Sequence, residues 1–293
     1  MWVRAFISLI RLGVLLSYYS CFVRSDFEVG MSRADDLTTG TLTSTHAVSL
    51  TETPTLEIGG RFRIGAMTLF DQPDMTASAD VDASFTVSNA AITVGSHLLV
   101  GVVFQDDPDT GSGVPDAMSG LDISGALTLS RSSLQVPLAW IGVVEQGLLA
   151  NPSGRVALSG FLGTNLLEVG ENGTLVLQIE GDNPASALTV GQARAAQVAA
   201  ADALIEGTVQ VEFLYTPADG VHTYDLMVAP AGTLADTTGV LEVTALPDGF
   251  IQRSFGIVTD GALDVLRLEI EGPVLFSDGF ESGDTSAWSP SSP

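Results

Sequence analysis

The chain contains no lysine: its eleven basic residues are all arginine, set against 35 aspartates and glutamates for a formal net charge of -24. That absence excludes a P-loop lysine, a Schiff-base lysine and a lysine-asparagine cross-link. A surface this acidic repels phosphate backbones and anionic lipid, so nucleic acid is not an expected partner. Cysteine is nearly absent as well. The single one, Cys21, lies in the apolar N-terminal stretch, which leaves the body without an internal disulfide or a cysteine-based zinc site. Aromatic residues make up 7% of the chain, and Trp2, Trp140 and Trp288 are its only tryptophans, which argues against the aromatic platforms of sugar-processing clefts. The three histidines, His46, His97 and His222, are far apart and form no metal motif, so they read as surface or structural residues. No G-x-S-x-G elbow occurs, and with it goes the simplest route to a catalytic serine.

What is present is a 293-residue chain that is 45% hydrophobic, enough to bury a proper core. Its first residues, MWVRAFISLIRLGVLLSYYSCFVRS, read as a signal-like leader over 1–31. An uninterrupted apolar run from Leu12 to Val23 suits the core of an export signal and is too short to span a bilayer of about 30 Å. An uncleaved anchor and a true start at Met31 are the alternatives. Ser20-Cys21 is placed like a lipoprotein junction, but Tyr18 and Tyr19 stand where a small residue is needed. No membrane span is expected after the leader.

Beyond Asp35, short apolar runs alternate with Gly, Asp, Asn and Pro clusters, the rhythm of a sheet protein. Three runs alternate strictly. Val209, Val211, Phe213 and Tyr215 share one face; so do Leu175, Leu177 and Ile179, and Leu266, Leu268 and Ile270. One buried and one wet face per strand predicts an all-β protein, an antiparallel β-sandwich, either one elaborated or two consecutive. The alanine-rich segment 191–207 is the one good helix candidate, with the helix near 191–205. It would serve as a helical connector between a β-sandwich domain over 32–190 and a second β domain, or a continuation of the first, over 208–273. No repeat period of 20 to 50 residues is visible, which disfavours a solenoid.

Two short stretches carry candidate sites. In QDDPDTGSGVPD, the carboxylates of Asp106, Asp107, Asp109 and Asp116 crowd a loop opened by Pro108 and Gly111, as in the start of a calcium loop. The third acid of that pattern is replaced by Gly111 and no glutamate closes it, so a solvated hairpin loop is the competing reading. Calcium is accordingly the one cofactor considered. Asn172-Gly173 is formally a glycosylation acceptor and reads better as a turn. Arg61 and Arg63 alternate with Phe62 and Ile64, and their expected partners are nearby carboxylates.

The second stretch is the C-terminal tail, 274–293. Its Leu275, Phe276, Asp278, Gly279, Phe280 and Glu281 resemble the I/L-F-x-D-G-F-E tails of exported proteins of environmental Gram-negative bacteria, a match under a tenth of the chain long. The resemblance implies an exported bacterial protein and is silent on the fold upstream. It makes Asp278, Gly279, Phe280 and Glu281 the recognition residues if the tail is a tag; the alternative is a docked strand closing the last sheet. Together these features point to an exported, non-enzymatic β-sandwich protein, extracellular or at the cell surface with the periplasm as an alternative, that acts as a structural, adhesive or binding module on an extracellular ligand or surface component. The rival is a secreted carboxylate-based hydrolase, with or without a dependence on calcium.

Overall fold

The computed structural model describes residues 21–30, 32–34, 41–51, 55–69, 78–105, 121–144, 151–181, 196–234 and 237–273. Among them the chain is all β, with strands and turns but no helix. The first circuit runs through β1 (Cys21–Val23), β2 (Phe27–Val29), β3 (Ser32–Ala34) and β4 (Thr41–Thr51). The next comprises β5 (Thr55–Ile58), β6 (Phe62–Leu69) and β7 (Ser78–Ser88), followed by β8 (Ala91–Val94), β9 (His97–Gln105) and β10 (Leu121–Ile141). The chain continues through β11 (Asn151–Val169), β12 (Gly173–Ile179), β13 (Gln197–Ile205), β14 (Thr208–Phe213), β15 (Val221–Pro230) and β16 (Val240–Ala245). It closes with β17 (Ile251–Asp260) and β18 (Leu263–Glu271).

The registers show a coil of stacked turns with three faces. On face A, Val48, Phe85, Leu127, Val156, Leu175, Val209 and Leu241 stand in one column across seven strands. Face B stacks Leu56, Ile92, Leu134, Leu162 and Val198. Face C stacks Phe27, Phe62, Leu98, Ala139, Leu167 and Ala203. The long strands β10 and β11 bend through all three faces without losing their mutual register, apart from one shift between Ser130 and Ser133. The inward columns merge into one buried cluster from Val29 to Ile270.

This architecture corrects the antiparallel sandwich. Only the two ladders involving β18 are antiparallel, and every other ladder among the described residues is parallel. The alternation itself is real: Leu175, Leu177, Ile179, Val209, Val211, Leu266, Leu268 and Ile270 are all buried. Alternation reports one dry and one wet face and is silent about strand direction. Parallel sheets usually need helices on both faces; a coil closes its core from within, and the outer face of its early face-A strands stands in water.

The expected helix is corrected too. Gln197–Ile205 is β13, held between β11 and β15 by parallel pairing, while 191–195 lie outside the described residues. Alanine favours helices when nothing else decides, but here Ala196, Val198, Ala200, Ala203 and Ile205 enter the common core, and their small side chains fit a coil narrow enough for three faces to meet. The solenoid disfavoured for want of a period exists without one. In-register neighbours are 19 residues apart at Gly154 and Gly173, 28 at Ala139 and Leu167, and 42 at Ala79 and Leu121. Connections of such unequal length hide the repeat.

The ends of the coil are aromatic and its middle aliphatic. Near the first turns, Phe27, Phe62 and Phe85 pack edge to face, with Phe62 and Phe85 centroids 5.1 Å apart. At the other end Phe213 meets Tyr224 edge to face, and the Tyr224 hydroxyl lies 2.7 Å from that of Tyr215. Stacked coils need atypical terminal units to finish their core; here the antiparallel trio β15, β18 and β17 does so. Asp264, 1% exposed, pins it by accepting the backbone N–H groups of Gly232 at 2.8 Å and Leu234 at 3.1 Å and the Thr259 hydroxyl at 2.9 Å.

Candidate functional site

The sequence-derived site residues fall outside the described residues: Asp106, Asp107, Asp109 and Asp116 of the proposed calcium loop, and Asp278, Gly279, Phe280 and Glu281 of the tail. Among the described residues, no three acids or histidines gather as metal ligands. The Asn172-Gly173 signal does mark a turn, closed by the Gly173 N–H donating to the Gly170 carbonyl at 2.7 Å. It joins face C to face A of the coil instead of forming a hairpin.

Two surfaces remain as candidates. The first is the outer side of face A across its early turns. Because side chains alternate, the residues between the core columns point outward, and parallel register lines them up: Thr43, Asp80 and Asp122; Thr45, Asp82, Ser124 and Ser153; Ser49, Thr86 and Thr128. Strand spacing of about 4.8 Å and a same-face repeat of about 6.6 Å along each strand turn these rows into a lattice of short hydroxyls and carboxylates. The lattice is open to solvent at Thr43, Thr45, Asp80, Asp82, Thr86, Asp122 and Ser153. Further along the coil it ends: the equivalent positions Ala157 and Val176 are apolar and buried. At the corner of faces A and B, the lattice borders a polar recess of about 420 Å³ lined by Ser88, Asn89, Ser130, Arg131 and Glu180. There the Ser159 hydroxyl accepts the Arg131 N–H at 3.0 Å and donates to Glu180 at 2.6 Å, while Arg131 Nε pairs with the other Glu180 oxygen at 2.6 Å.

The second surface is the outer side of face C, where register places Glu28, Arg63, Leu99, Trp140 and Glu168 in one row. The expected carboxylate partners are found for Arg63, which, 3% exposed, lies 2.6 Å from Glu28 and 3.4 Å from Asp26; Asp26 also accepts the Arg61 backbone N–H at 2.8 Å. His97 bonds Ser96 and meets the Trp140 ring edge to face at 5.7 Å. Burial lowers its pKa, and the positive charges of Arg61 and Arg63 lower it further, with a smaller opposing pull from Asp26. Glu168 behaves in the opposite way: burial, then the like charge of Glu206, raises its carboxyl above the ordinary value. The Trp140 indole N–H is buried without an acceptor among the described residues. Sequence reasoning could not assemble this row, since its members are 28 to 41 residues apart and only the coil's irregular return brings them into line. Comparison of the chain with protein-family models, with curated proteins and with solved structures finds no match.

Proposed function

We propose that the protein is an exported, non-enzymatic module of the cell surface or surrounding medium that adheres to or scaffolds a repetitive ligand through the outer side of face A. The observation that carries this reading is the lattice of Thr45, Asp82, Ser124 and Ser153 with its flanking rows. Short side chains on a stiff parallel ladder lose little entropy on binding and present donors and acceptors at fixed intervals, which favours a ligand that itself repeats, such as a polymer bearing hydroxyl groups. A larger recess of about 630 Å³ on face B, lined by Thr93, Gln135, Phe161, Gly163, Asn165 and Ala199 among others, has no acid in its wall among the described residues. Acids do gather elsewhere among the described residues, Asp80, Asp82 and Asp122 on face A and Glu168 near Glu206, so the rival hydrolase is tested by turnover. Export is supported by the part of the leader that precedes β1 and by the resemblance of the tail.

The test is a panel of insoluble polysaccharides and host-cell surfaces, probed with the full chain and with Thr45→Tyr plus Thr86→Tyr. Both threonines are exposed, so the bulky rings spoil the lattice without entering the core. Binding that falls at least about tenfold at unchanged melting temperature supports the reading. Binding indifferent to the two rings, or turnover of any panel member, would sink it.

A further inference from the structure

Arg131, in the recess at the corner of faces A and B, is held differently from the other arginines paired with acids. Arg63, Arg253 and Arg267 each place a terminal nitrogen on a carboxylate, at 2.6, 3.4 and 3.0 Å. Arg131 places only Nε on Glu180, and its side chain is 55% exposed. The four N–H groups of Nη1 and Nη2 therefore have no acceptor among the described residues and are left to the recess and solvent. Glu180 is spent: one oxygen takes the Nε bond, and the other takes the hydroxyl of Ser159, which is fully buried and in turn accepts the Arg131 backbone N–H. Arg131 and Asn89 have φ of +50° and +56°, the only non-glycine residues in the left-handed region among the described residues. Such a conformation persists where the surroundings fix it. Beside the arginine, the hydroxyls of Ser88 and Ser130, paired in register, and the side-chain amide of Asn89 have no hydrogen-bond partner among the described residues. Leu214 supplies one apolar wall.

We infer that this recess binds a sugar unit bearing one carboxylate, a uronic acid in an otherwise neutral polymer, with Arg131 on the carboxylate and Ser88, Ser130 and Asn89 on ring hydroxyls. The inference rests on the proposed role of the outer side of face A as the binding surface, which the recess borders. A guanidinium fork matches a carboxylate in two parallel bonds, and a cavity of about 420 Å³ is of the size that holds a small ligand. The net charge of -24 opposes a dense polyanion, which would meet the whole surface, whereas a single carboxylate meets only its neighbourhood. There Glu180 is already paired, and Glu212 accepts the Gln178 amide. Asp82 stands six residues along β7 from Ser88, about 20 Å away and more than twice the screening length of about 8 Å at physiological salt.

Titration of the full chain with methyl glucuronide and methyl glucoside, which differ only in carboxylate against hydroxymethyl, reads the site by calorimetry or NMR. The glucuronide should bind at least about tenfold more tightly, and Arg131→Gln should bring it to the level of the glucoside, whose own affinity stays unchanged. Asn89→Asp adds a negative charge, leaves the Arg131–Glu180 pair in place and keeps a residue that tolerates the left-handed region. It should have the same effect at unchanged melting temperature, and it carries the comparison alone if Arg131→Gln fails to fold. Equal affinity for the two sugars, a preference that survives both variants, or acetate binding as tightly as the glucuronide overturns the inference. Single sugars reach the recess without the lattice. A glucuronide preference without polymer binding therefore supports the recess and sinks only the lattice, and polymer binding without that preference does the reverse.

Discussion

Gly101 and Gly154 touch backbone to backbone: with Gly101 at φ +58°, a Cβ there would overlap the Ser153 carbonyl oxygen and lie 2.6 Å from the Gly154 nitrogen. The same contact recurs one turn earlier between Gly65 and Gly125 and one turn later between Gly142 and Gly173. Each time, a left-handed glycine ends the face-C run and rests on a glycine of face A. This seam draws two faces close enough to share a core built largely from Val, Leu, Ile and Ala.

Gly101→Ala meets both a forbidden φ and a backbone clash, so it should cost at least about 2 kcal/mol in chemical denaturation. Gly256→Ala is the control. It lies in β17, outside the left-handed region and with nothing within 4 Å of an added Cβ, and its effect should stay within about 0.5 kcal/mol.

Phe62 is fully buried between Phe27 and Phe85. Truncation to alanine removes two edge-to-face contacts and leaves a cavity in the first turns, at an expected cost of about 3–5 kcal/mol. Thermal melting of Phe62→Ala against the parent protein checks it; a loss under about 1 kcal/mol would mean that the early turns do not pack as described.

Asp264→Ala deprives the Gly232 and Leu234 N–H groups and the Thr259 hydroxyl of their acceptor at a site that is 1% exposed. Unsatisfied buried donors cost about 1–3 kcal/mol each, and because the three act as a unit the loss should be at least about 2 kcal/mol. Exchange of the 231–234 amides should quicken before global unfolding does, since the loop is released first.

Glu168 provides a pH signature. Its folded-state pKa is raised, by burial and then by Glu206, so the folded chain holds this proton to higher pH than the unfolded chain. The stability linked to it is complete below the unfolded value of 4.5 and is lost as pH rises through the folded value. Glu168→Gln abolishes that dependence. The variant should therefore gain on the parent as pH rises from about 4 to about 7 and match its trend below about 4, read as the difference between two stability-pH curves. A flat difference curve would show that the carboxyl is not desolvated on face C.

Much of this protein was legible before folding. The absence of lysine and the single cysteine exclude lysine chemistry, an internal disulfide and a cysteine-based zinc site. The alternation in 175–179, 209–211 and 266–270 marks which residues face the core, because a side chain's face depends only on its parity along an extended strand. The Asn172-Gly173 turn was a local signal of the same kind.

Strand direction, the fate of the alanine-rich segment and the composition of both candidate surfaces were decided by tertiary structure. Parity is the same for parallel and antiparallel partners, so Leu175 reads as buried whether its neighbour Val156 runs with it or against it. Residues 197–205 have the propensity of a helix, yet pairing with Phe161–Val169 and burial of Val198 and Ile205 outweigh a preference worth only tenths of a kcal/mol per residue. The rows joining Thr45 to Asp82, or Trp140 to Glu168, exist only because connections of unequal length return the chain to the same height. Local sequence sets which way a side chain points; which residue lies beside it is set by the closure of the whole coil around one core.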